Sequence, residues 1–144
     1  MARKEMNDWA PADFEVYVGS FAGPAYGVWW DGKQLVYESF GPGYQDRCEG
    51  HIVPSSAQWS RFWQTMETLD VWAWGSRYEP APQYEPADVI RDGTHWSITL
   101  SWRGQSVVSS GDGAGPDDAD LDSSRNFTCL CDAVSRLAGG ADFS

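Results

Sequence analysis

The chain has no apolar run approaching the roughly 18 residues that a membrane-spanning helix needs. Its opening stretch, MARKEMNDWAP, carries no apolar segment either, so neither a membrane anchor nor a secretory leader is expected. Basic residues are scarce: 10 Lys and Arg against 21 Asp and Glu give a formal net charge of −11. With no Lys/Arg cluster to displace counterions from phosphates, neither nucleic acid nor an anionic membrane is expected as a partner. Cysteine is limited to three, an odd number that makes no disulfide framework, and this points to a reduced, cytoplasmic setting.

Motifs that carry chemistry are equally sparse. No Walker or dinucleotide glycine pattern occurs, and Gly111, Gly113 and Gly115 stand among aspartates that would repel a phosphate. No nucleophile elbow surrounds a serine; Ser109-Ser110-Gly111 closes a β-like run without the G-x-S-x-G pattern. Cys48 with His51 or His95 and an aspartate can be drawn as a triad, but nothing in their spacing selects it. Asp118, Asp120 and Asp122 reproduce the start of an EF-hand loop, yet Ser123 replaces its glycine and Cys129 its bidentate glutamate. Cys48 and His51 make two ligands, which is not a site, and Cys129 and Cys131 diverge by about 200° on a helix. No metal and no cofactor is therefore expected, and no catalytic residue is assigned.

What the chain does have is aromatic mass. Nine tryptophans occur in 144 residues, and aromatics make up 15% of the sequence against 22% charged residues. That composition supports a core, and the length fits one domain burying roughly 68–70% of its unfolded surface. Phe14, Val16 and Val18 alternate as in a strand. Tyr26 to Trp30 and Leu35 to Phe40 flank Asp31-Gly32, a type I′ hairpin signal. A short strand near His51 to Val53 follows a turn-rich stretch. Trp59, Phe62, Trp63, Met66 and Leu69 then form a helical stripe, capped by Ser55 or Ser56. Trp96, Ile98, Leu100 and Trp102 alternate toward the turn at Arg103-Gly104. Phe127, Leu130, Cys131, Val134 and Leu137 make a second helical stripe, capped by Asp122, Ser123 or Ser124 and stopped by Gly139-Gly140.

These signals predict a single α+β domain over 1–144: an antiparallel sheet of about five strands in two hairpins, with two helices packed on one face. Residues 1–12 read as a flexible lead-in. Residues 71–91, interrupted by Pro80, Pro82 and Pro86, read as one long aromatic loop.

Function follows from the rings that periodicity does not bury. Trp29 and Trp30 are adjacent, so a strand sends one to the core and the other to the open face. Trp72, Trp74, Tyr78 and Tyr84 come from the proline-rich loop, with Glu79 and Glu85 among them. Large rigid rings with one polar handle suit a protein interface. The expected partner-binding set is therefore Trp29, Trp72, Trp74, Tyr78, Tyr84, Glu79 and Glu85, and the charge balance points to a basic protein as the partner. In size and acidity the chain is similar to immunity proteins and phage-type inhibitors, a similarity of kind without a shared motif. A non-enzymatic, inhibitor-like binding module is the leading expectation. A carbohydrate or small-ligand binder would use the same rings, and a hydrolase would use the loop carboxylates Glu79, Glu85, Asp88 or Asp92.

Overall fold

The computed structural model describes residues 9–20, 23–78, 94–117 and 124–143. Strands β1 (Asp13–Gly19), β2 (Ala25–Trp30), β3 (Leu35–Phe40) and β4 (Cys48–Ile52) precede helix α1 (Ser56–Thr68). A short strand β5 (Arg77–Tyr78), the pair β6 (His95–Trp102) and β7 (Gln105–Asp112), and helix α2 (Arg125–Leu137) follow. Among the described residues the strands form one seven-stranded sheet in the order β4-β3-β2-β1-β6-β7-β5. All neighbours are antiparallel except β5, which runs parallel to β7. The α+β class holds. The sheet is larger than the sequence suggests, because β4 extends the first meander and β5 borrows its hydrogen bonds from the edge of β7.

Strand β1 sits centrally because both of its edges find partners. Val16 lies between Val28 of β2 and Ile98 of β6, and Phe14 and Val18 face Leu100 and Trp96. These residues are all nearly fully buried, as their period-two spacing requires. Both helices cover this same face. Phe14 meets Trp59 and Phe62 of α1, while Trp96 meets Phe127 of α2, and Phe14 and Trp96 share one side of the sheet. The expected helical stripes are the buried ones. Ser55 closes a reciprocal capping box with Gln58, and Ser124 caps α2 by accepting from the Phe127 N–H.

The two hairpin turns differ in kind, and the first departs from expectation. At Arg103-Gly104 both residues have positive φ, which is the two-residue type I′ arrangement. Asp31-Gly32 does not form one. There the loop spans residues 31–34, and the Asp31 carboxylate accepts from the Lys33 and Gln34 N–H groups. Those two bonds hold the Asp31 carboxyl below its usual range. The aspartate has moved from turn centre to local cap.

Two more expectations need correction. Within the anticipated 71–91 loop, residues 71–73 form a 3-10 turn and residues 77–78 a strand; residues 79–91 lie outside the described ones. Of the anticipated lead-in, Trp9 is anchored. Its ring stacks on Trp102 at 6.0 Å, and its carbonyl accepts from the Trp63 indole at 2.7 Å. At the other end Phe143 is buried, and the Tyr37 hydroxyl donates to the Asp142 carbonyl at 2.6 Å. No helix among the described residues is long and apolar enough to cross a membrane.

Candidate functional site

Eight of the nine tryptophans belong to the core or pack against it; Trp29 alone does not. Trp30 turns inward and meets Trp59 edge-on at 5.6 Å. Strand alternation therefore puts Trp29 on the opposite side, the face that neither α1 nor α2 covers. Register builds a row around it. Trp29 lies between Glu15 of β1 and Val36 of β3, and Glu15 in turn faces Thr99 of β6, which faces Val108 of β7. Val108 is 66% exposed, an apolar side chain that nothing in this face shields.

The next row supplies the depth. Gly27 pairs with Tyr17 on one side and Glu38 on the other, and its missing side chain leaves a slot between the Trp29 and Tyr17 rings. The cavity holds about 160 Å³ and is bounded by Tyr17, Trp29, Phe40, Glu15 and Glu38. Tyr17 is held in place from several sides. Its ring lies along β1 over Gly19, where any added Cβ would collide with the phenol. His95 stacks on it at 5.6 Å, and Tyr44, whose hydroxyl donates to the Ser20 carbonyl, stands beside it. Burial, then the hydrogen bond and charge of Tyr44, push the Tyr17 hydroxyl up to about 12. It is therefore a neutral phenol at physiological pH, and the slot's charge comes from its two carboxylates.

Those carboxylates are not equivalent. Glu38 accepts two bonds from Arg47, at 3.0 Å from Nε and 2.6 Å from Nη2. Arg47 also bridges to Glu49, which meets His51 Nε2 at 3.0 Å, and Gln34 meets His51 Nδ1 at 3.0 Å. The hydrogen bonds of His51 and then Arg47 hold the Glu49 carboxyl below its usual range. Glu15, in contrast, makes no ion pair or hydrogen bond among the described residues. An exposed acidic group beside half-buried rings, with no side-chain partner among the described residues, is able to accept a cationic group from outside.

The other residues singled out by sequence fall elsewhere. Trp72 stacks on Trp63 at 6.1 Å and donates to Glu67. Trp74 meets Trp96 edge-on and donates to the Leu69 carbonyl at 3.0 Å. Tyr78 stacks on Trp96 at 6.2 Å, and its hydroxyl accepts from the Gly75 N–H at 2.7 Å. All three rings are half-buried on the helix side of the sheet, away from Trp29. Tyr84, Glu79 and Glu85 lie outside the described residues, as do Asp88, Asp92 and the aspartates at 118, 120 and 122. Sequence reasoning missed Tyr17, Phe40, Glu15 and Glu38. The signal available was the outward parity of Glu15 and Tyr17 against Phe14 and Val16, joined to that of Trp29 through the strand pairing.

Among the described residues no cluster of His, Cys, Asp and Glu has the geometry to hold a metal ion. Cys131 is buried, and burial together with Asp132 pushes its thiol up to about 12. It is a core residue and not a nucleophile. Compared with protein-family models and with curated proteins, the chain matches none.

Proposed function

We propose that this chain is a non-enzymatic protein-binding module, inhibitor- or immunity-like in action, which takes a basic protein on the sheet face carrying Trp29. One observation carries the proposal: Trp29 is the single indole left outside the core, and it borders a slot rimmed by Glu15 and Glu38. A lysine or arginine side chain of the partner enters that slot between the Trp29 and Tyr17 rings. Ring faces attract the cation by about 0.5–2 kcal/mol, more as water leaves, and Glu15 supplies the counter-charge. The net charge of −11 accelerates the encounter and rejects acidic competitors. Trp72, Trp74 and Tyr78 are engaged with the core, so the proposal does not depend on them.

Affinity capture from a cell extract, run in parallel on three forms of the protein, tests this. The wild type and Trp72→Phe should retain the same basic protein, and the double variant Trp29→Ala, Glu15→Lys should lose it. Equal retention by all three forms rejects the face. A glycan array run on the wild type and on Trp29→Ala addresses the carbohydrate reading: a sugar held by the wild type and lost with Trp29 would replace the protein partner with a saccharide.

A further inference from the structure

A second concavity lies on the far side of the molecule, between the outer surfaces of the two helices. It holds about 250 Å³ and is lined by Gln58, Arg61, Phe62 and Thr65 of α1 with Ala133, Arg136 and Leu137 of α2. Its floor is apolar, since Phe62, Ala133 and Leu137 are all at least nine-tenths buried. Two of the chain's ten basic residues border that floor, and among the described residues no carboxylate lines it.

The pairing of the arginines is the informative part. The chain has 21 acidic residues, and other arginines find them: Arg47 pairs with Glu38 and Glu49, and Arg77 with Asp112. Arg61 and Arg136 make no ion pair among the described residues. The only hydrogen bond the Arg136 side chain makes there runs from Nε to the Asp132 carbonyl at 3.3 Å, which leaves both terminal nitrogens as donors. Gln58 adds a third donor. Its Oε1 is fixed by the Ser55 N–H at 2.8 Å in the capping box, so the amide nitrogen is the atom left to bind. Thr65 contributes no donor, because its hydroxyl is spent on the Arg61 carbonyl. Packing of arginine stems over Phe62 and Leu137 accounts for the stems. It does not account for two guanidiniums bordering one groove with no acid beside them among the described residues.

The geometry points to an anion site in this groove: a small organic anion, its apolar body on Phe62 and Leu137 and its carboxylate or phosphate head between Arg61 and Arg136. Guanidinium forks match the oxygen spacing of both head groups. A groove of this size is smaller than the range of about 300–1,000 Å³ for drug-sized ligands, so the body is a single ring system or a short acyl chain. The site is separate from the Trp29 face and does not rest on the function proposed for it.

Amide chemical-shift titration of the whole chain with 2-naphthoate, 2-naphthyl phosphate and the neutral 2-naphthalenemethanol tests the site. Both anions should saturate with Kd near about 1 mM, moving the amides of Arg61, Thr65, Ala133 and Arg136. The tighter of the two names the head group. The alcohol should bind about tenfold more weakly, and Arg61→Gln or Arg136→Gln should each weaken the anions about fivefold while leaving the melting temperature in place. Raising salt on the wild type from about 0.05 to about 0.5 M should weaken the anions and not the alcohol, which keeps the test independent of any variant's folding. No saturating shift in the groove up to about 10 mM, equal binding of the alcohol, or anion affinity indifferent to both arginines and to salt would each overturn the assignment.

Discussion

Trp96 and Gly111 are direct partners across the β6/β7 pair, and the indole lies so close over the glycine that any Cβ there would overlap Trp96 Nε1 and the Ala114 carbonyl. Those two atoms are themselves hydrogen-bonded at 2.9 Å. Gly111 is thus required by close approach, and its backbone φ is ordinary. Gly111→Ala should force the indole off its bond and destabilise the fold by about 1–3 kcal/mol. Chemical denaturation of the variant measures this; a change below a few tenths of a kcal/mol would show that the strand relaxes freely.

Trp63 is the hub of the aromatic core. It lies parallel to Trp102 at 4.7 Å and stacks on Trp59 and Trp72, and its N–H reaches the Trp9 carbonyl. Trp63→Ala should cost about 3–5 kcal/mol and collapse the near-ultraviolet circular dichroism from the coupled indoles. Retention of that signal would place the coupling elsewhere.

Thiol chemistry should divide the cysteines. Cys48 and Cys129 are exposed, while Cys131 is buried with its thiol pushed up to about 12. A thiol-reactive dye at neutral pH should label Cys48 and Cys129 in the native protein and reach Cys131 only after unfolding. Peptide mapping of the labelled chain reads the result directly.

Alkaline pH should destabilise the protein through Tyr17. Its hydroxyl rises from an ordinary 10.0 to about 12, so the folded state favours the neutral phenol. That contribution is complete below pH 10 and disappears as pH climbs from 10 to about 12. Denaturation midpoints across this window should fall less steeply for Tyr17→Phe than for the wild type. Parallel curves would mean Tyr17 ionises as an ordinary surface tyrosine.

Ser124 is 1% exposed and serves two neighbours at once, accepting from the Phe127 N–H and donating to Asp117 at 2.6 Å. Ser124→Ala should lower stability by about 1–2 kcal/mol, and Ser124→Asp should not restore it, because the second carboxylate would face Asp117. Thermal melts of the two variants distinguish a cap from a two-sided anchor.

Much of this architecture is legible in local pattern. Period two along β1 and β6, period 3.6 along α1 and α2, and the serines before each helix name their own elements, because each is a short-range preference. Strand β5 is not legible, since two residues carry no period and their hydrogen bonds come from β7. The role of Asp31 was hidden for a related reason: one side chain satisfies two N–H groups, and that competes with a type I′ turn. Indoles on irregular segments proved hardest. Trp9, Trp72 and Trp74 sit where no periodicity buries them, yet Trp102 and Trp63 offer faces for the first two to stack on and Trp96 meets Trp74 edge-on. The apparent surplus of rings is largely an outer layer of core. Alternation separates Trp29 from Trp30, and the pairing of Trp30 with Leu35 decides which of them points inward. The slot itself needs Tyr17, Gly27 and Glu38 from three strands, a juxtaposition that only register creates.

The claim that the uncovered sheet face receives a cationic side chain is tested most directly by titrating the labelled protein with tri-arginine and following the indole N–H resonances. Trp29 should shift and saturate, with Glu15 and Gly27 amides moving alongside, while tri-glutamate leaves them still and Trp29→Ala abolishes binding. Tri-arginine shifts that spread over the acidic surface and spare Trp29 would contradict the account.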